Sequence, residues 1–151
     1  MVRDTSQAKT GIEMSTNLDI IEEINKHLDD RYGQPGSFET FVLKLQTFGI
    51  VRFSFDTLKS EMSFYSIDQL IHTHIRSEVK IAKEQLNWQL CKTFEIPILE
   101  QAITDLDEGK IGAVEFHHQM HKAGVVFCML YLIPRKIFYM SQDGSFYLEH
   151  Y

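Results

Sequence analysis

Apolar positions along this chain change period several times, and the changes mark its elements. Leu18, Ile21, Ile24 and Leu28 recur at helical spacing, with Thr16 and Asn17 as candidate N-caps and Asp19 near the positive end of the dipole. Tyr32-Gly33-Gln34-Pro35-Gly36 ends this amphipathic helix, and Ser37 caps a second. In the second helix Phe38, Phe41, Val42, Leu45 and Phe48 form one stripe, and Gly49 stands where a left-handed terminal residue is wanted. The period then drops to two: Ile50, Arg52 and Ser54 alternate with Val51, Phe53 and Phe55 as in a half-buried strand. Glu61 to Ile67 and Leu70 to His74 follow, and the three segments read as a meander.

The pattern fades between Ile75 and Ile96, where Val79-Lys80-Ile81 fits a short strand and Lys83 to Phe94 fits either a helical turn or a loop. It returns at Pro97, which suits the first turn of a helix through Leu99, Ala102, Ile103 and Leu106 that closes at Glu108-Gly109. Another helix is expected over Ala113 to Ala123, ended by Gly124. Strands are expected over Val125 to Ile133, Lys136 to Ser141 and Ser145 to His150, with Asp143-Gly144 as a hairpin signal.

The two halves share one grammar. An ungapped offset of 75 residues pairs Phe41 with Phe116, Gly49 with Gly124, Val51 with Val126, Ser66 with Ser141, and Asp68 with Asp143. Similar residues fall in the same frame, among them Leu45 with Met120 and Phe64 with Tyr139. The matches fall on the helix stripe, the glycine cap, alternate strand positions and the second turn, as a structural repeat requires. A helix and one small meander bury too little apolar area to be stable alone, so the halves are expected to complete each other. The reading is an α+β fold: one domain over residues 15–151 after a flexible tail at 1–14, with repeat units at 38–74 and 113–149 whose helices pack against antiparallel strands.

Composition narrows the setting. The 151 residues are 44% hydrophobic and 24% charged, ordinary for a globular chain. The longest apolar run, Val125 to Ile133, is about half what a membrane-spanning helix needs. There is no apolar leader at the N-terminus, and Cys91 and Cys128 form neither a disulfide framework nor a CxxC pair, so a reducing cytoplasm is expected. A net charge of -6 disfavours a general nucleic-acid grip, and Arg76, Lys80 and Lys83 read as a solvated face.

The frame from Phe116 to Gly124-Val125 follows a helix ending Asp107-Glu108-Gly109-Lys110 and precedes an aromatic-rich meander reaching Leu148-Glu149. In this it resembles the YdfO-like family of small bacterial and prophage proteins, sometimes labelled phage envelope protein and otherwise a domain of unknown function. The resemblance covers about Phe38 to Glu149 and implies an α+β fold and a prophage or mobile-element origin. It implies no established activity. Members often carry Cys at the position of His117, Trp at Cys128 and Asp at Tyr131.

The sharpest candidate chemistry is His117-His118-Gln119-Met120-His121. On a helix His117 and His121 stand one turn apart and can together bind a divalent metal, although a third ligand is missing; the alternative is an exposed helix face. His72 and His74 share one side of a strand and read as solvent-facing polar positions. Cys128 reads as a small buried hydrophobe, and Trp88 with Phe94 as core or as a recognition loop. No nucleophile elbow, phosphate loop or dinucleotide glycine pattern occurs, so the reading leans away from an enzyme and names no cofactor.

The first function expected is a non-catalytic protein-interaction module. It would use the open sheet surface or the segment from Ile75 to Phe94, with an unidentified protein as partner, and its warrant is the abundance of aromatic residues on strands, Phe53, Phe55, Phe64, Tyr65, Tyr139, Phe146 and Tyr147. The alternative is a small-ligand or metal-binding protein with its site between the repeats near His117 and His121. Exposed meander edges also suggest a homodimer.

Overall fold

The computed structural model describes residues 18–28 and 37–151. The expected tail at 1–14, the caps at Thr16 and Asn17, the stop at Tyr32 to Gly36 and the side chain of Ser37 lie outside the described residues.

Among the described residues there are five helices and six strands. Helix α1 covers 18–28 and α2 covers Ser37–Thr47; strands β1 (Arg52–Asp56), β2 (Glu61–Tyr65) and β3 (Leu70–Ile75) follow. Then come α3 (Ser77–Gln85), α4 (Ile96–Asp107), α5 (Ala113–Lys122), β4 (Val125–Tyr131), β5 (Lys136–Ser141) and β6 (Phe146–His150). The strands form one antiparallel sheet in the order β3-β2-β1-β4-β5-β6, which makes the chain an α+β protein.

Alternation along the strands gives the sheet two unlike faces. One carries Phe53, Phe55, Met62, Phe64, Cys128, Leu130, Ile137 and Tyr139, all buried against the helices. Phe41 of α2 meets Phe53 and Phe64 edge-on at 5.8 and 6.0 Å, and those two stack at 5.2 Å, so aromatic geometry fixes how α2 lies on the sheet. Ile24 of α1 and Leu99 of α4 are fully buried in the same core. Helix α1 turns Ile20, Ile24 and Leu28 inward and leaves Leu18 exposed, a small rotation from the stripe its spacing suggests.

The two meanders share a register. Phe53 pairs with Phe64 and Cys128 with Tyr139; Glu61 pairs with Ile75 and Lys136 with His150; each second pair lies 75 positions beyond the first. Gly49 and Gly124 end α2 and α5 at φ +80° and +81°, and their N–H groups donate to the carbonyls of Gln46 and His121, both at 3.1 Å. Across the central strand pair Thr57 N–H donates to Val126 O at 3.1 Å and Leu132 N–H to Val51 O at 3.0 Å.

The segment 75–96 departs from what its pattern suggests. Val79-Lys80-Ile81 is helical, inside α3, of which Val79 is the residue buried. One inward residue in nine leaves almost no periodic trace. Nor do its cations form a solvated face: Arg76 is 2% exposed and donates to Leu28 O at 3.4 Å and to Glu78 at 3.0 Å. Lys83 Nζ donates to the carbonyls of Thr57 and Leu58, and Lys80 alone of the three is exposed. Beyond α3 the chain passes over the end of α5, where Cys91 N–H donates to His121 O and Glu95 N–H to Ala123 O. These bonds satisfy carbonyls that a helix C-terminus leaves unpaired.

Candidate functional site

Between the helix layer and the sheet, beside the β1–β4 seam, lies a cavity of about 390 Å³, inside the range of small-molecule sites. Its floor is Phe53, Phe55, Cys128, Leu130, Ile137 and Tyr139. Helices α2, α4 and α5 roof it through Phe38, Ile103, Leu106, Phe116 and Met120. Lining residues Glu39, Asp107 and His150 are exposed and mark its mouth, with Glu149 half-buried behind them. Tyr151 completes the rim. Arg135 lies 4.7 Å from the centre of its ring, donates to its carbonyl at 3.1 Å, and pairs with Glu39 at 2.6 Å.

His117 sits at the inner end. It is 2% exposed, stacks on Phe55 at 4.2 Å with the rings 13° apart, and neither ring nitrogen has a hydrogen-bond partner. Burial, helped by the positive charge of Arg76, pushes its pKa down to about 3, so the ring is neutral at physiological pH. A neutral imidazole offers one donor and one acceptor, and leaving both unmet in an apolar interior is costly.

At the mouth the polarity is acidic. Glu149 accepts a hydrogen bond from Tyr139 Oη at 2.7 Å, yet burial, reinforced by the negative charge of Asp107, raises its pKa. Asp107 is raised in turn, mostly by burial and then by Glu108. Asp107 and Glu149 have no cationic partner among the described residues. The cavity therefore has an apolar body, a neutral donor–acceptor at its inner end and uncompensated carboxyls at its entrance.

Of the candidates raised by the sequence, His117 lies in this cavity and His121 does not. Both are buried, at 2% and 3% exposure, which overturns the exposed helix face. His121 meets Trp88 edge-on at 5.7 Å while His117 faces Phe55, so different aromatic neighbours hold the two rings. Among the described residues no group of three or more His, Cys, Asp or Glu stands close enough to hold a metal ion. His118 stacks on Trp88 at 4.6 Å, and that indole packs against α5. His72 and His74 are half-buried on the helix-covered face, with His72 bonded to Asn25 of α1 at 3.1 Å, so they are not solvent-facing. Cys128 is buried as expected, and burial raises its thiol pKa.

Asp107, Glu149 and Tyr151 were not singled out as site residues from the sequence, and Tyr139 was singled out there only for an interaction surface, whereas it lies buried in the cavity floor. They come from the end of α4, the middle of β5, the end of β6 and the C-terminus, and only strand pairing brings them together. Compared with known proteins, the chain matches no protein-family model and no curated protein.

Proposed function

We propose that this chain is a small-molecule-binding protein whose ligand occupies the cavity between α4, α5 and the centre of the sheet. The observation that carries this reading is His117: a buried ring with two unmet nitrogens, lining an apolar space of ligand size. A structural histidine in a closed core would have a partner for at least one nitrogen. The test is saturable binding of a neutral naphthalene fluorophore at one equivalent per chain. Ala113→Trp, which projects an indole from the first turn of α5 into the cavity, should abolish it without unfolding the protein. Absence of saturable binding to the unaltered chain overturns the reading.

A second reading, a protein-interaction module, is favoured by the face of the sheet that carries no helix, although Phe53, Phe55, Phe64 and Tyr139, expected from the sequence to serve it, are buried beneath the helices. On β4 to β6 that face presents Phe127, Met129, Phe138, Met140, Phe146 and Leu148, whereas on β1 and β2 it presents Arg52, Asp56, Glu61, Ser63 and Tyr65. Such an apolar area fits a second copy of the chain packed face to face. Sedimentation at increasing concentration, repeated with Phe138→Ser, decides it.

We further infer that the fold arose by duplication of a helix-plus-meander unit, a view supported by the matched registers and glycine settings. The family resemblance adds a prophage or mobile-element origin, and the cysteine usage a cytoplasmic location, as the proposed setting. Among the described residues no helix is long and apolar enough to cross a membrane.

A further inference from the structure

The chemistry of the cavity goes further than its existence and, resting on the small-molecule reading, narrows the ligand class. The two ends differ. At the inner end His117 lies over Phe55 of β1, among Phe116, Met120 and Cys128. At the outer end Asp107 and Glu149 both line the entrance, close enough for the negative charge of Asp107 to act on Glu149, with Tyr139 holding one oxygen of Glu149. Arg135, which packs on the Tyr151 ring of the rim, is engaged with Glu39 and with the Tyr151 carbonyl.

Strand spacing sets the length between the ends. Phe55 pairs with Cys128, and Cys128 with Tyr139, so the ring under His117 and the phenol beside Glu149 stand two strands apart. At neighbouring-strand distances of 4.7–4.9 Å that is about 10 Å, the length of a fused two-ring aromatic with a one-carbon arm. A neutral ligand of that shape would fill the apolar body and leave two like charges together at the entrance. An anionic one would add a third. A cation placed there is attracted by both carboxyls.

We propose that the cavity binds aromatic amines: a flat apolar body along the sheet, an ammonium between Asp107 and Glu149, and a polar substituent within reach of His117 at the far end. The observations are independent of one another, since unmet nitrogens mark one end and unpaired carboxyls the other.

The test uses the full chain and a matched set: 2-naphthylmethylamine, 2-naphthylmethanol and 2-naphthoate, compared by calorimetry at pH 7. The amine should bind at least about tenfold tighter than the alcohol, the worth of one hydrogen bond to a charged group, and the carboxylate should bind weakest. Asp107→Asn and Glu149→Gln should each bring the amine toward the alcohol's affinity, weakening the amine by more than the alcohol. Asp107 is exposed, so its variant keeps the test available if the Glu149 variant is unstable. A hydroxyl at the far ring position should tighten binding in the unaltered chain and not in His117→Leu. If alcohol and amine bind equally, the cavity reading survives and the charge assignment falls. If none of the three binds, both fall.

Discussion

Ser54 of β1 and Met129 of β4 lie directly opposite each other in the central strand pair, and they also stand 75 positions apart, the spacing at which the two halves match. The residues flanking them pair crosswise: Phe53 with Leu130 and Phe55 with Cys128. The halves therefore meet through corresponding strands, and the cavity, floored by these four residues, opens beside the line where they join.

The helix-ending glycines should differ in what they tolerate. Both have positive φ, so alanine at either is strained by about 1–2 kcal/mol. Around Gly49 an added Cβ meets nothing, whereas at Gly124 it overlaps the Thr93 carbonyl oxygen and lies 3.1 Å from that of Cys91. Urea unfolding should show Gly124→Ala losing clearly more stability than Gly49→Ala. Equal losses would mean that the 91–95 segment does not press on α5.

His117 should make the protein acid-sensitive. Its folded pKa is about 3 against an ordinary 6.5, so below pH 6.5 the unfolded chain binds more protons than the folded one. The stability its neutral burial provides is complete above pH 6.5 and declines as pH falls toward 3. The slope for one proton is about 1.4 kcal/mol per pH unit. Burial lowers His121 as well, in the same direction. Melting temperatures of His117→Phe across this window should fall less steeply than those of the parent.

Tyr139→Phe removes the hydrogen bond that holds the Glu149 carboxylate. That bond favours the charged form against burial, so its loss should move the Glu149 pKa further up. A carbon-detected titration of the glutamate carboxyls reads this directly, and an unmoved Glu149 would place the phenol elsewhere in solution.

The thiols should separate cleanly. Cys128 is buried with its thiol pKa raised, whereas Cys91 is half-buried on the segment crossing the end of α5. A thiol reagent under native conditions should modify one cysteine per chain quickly, and peptide mapping should place it at Cys91. Rapid loss of both would show that the cavity floor opens.

Much of this architecture could be read from residue order, because each strand of a sheet with one covered face alternates and each long helix buries a stripe. Gly49, Gly124 and the Asp143-Gly144 turn announce themselves by backbone need. Helix α3 does not, since Val79 is its one buried residue, and Arg76 looks solvated until Leu28 O is found beside it. His117 was legible as a candidate, with the wrong neighbourhood. Asp107 and Glu149 were beyond reach, because β4, β5 and β6 must pair before the end of α4 and the end of β6 form one entrance.

The β1–β4 seam has a kinetic consequence. Every other strand pairing joins neighbours along the chain through a short turn, so each three-stranded half can organise from local contacts. The seam must instead close a loop that encloses β2, β3 and three helices, so the loop-closure entropy falls on that one event. Assembly of the two halves is thus the step expected to set the folding rate, and the ligand space takes shape only when it is over.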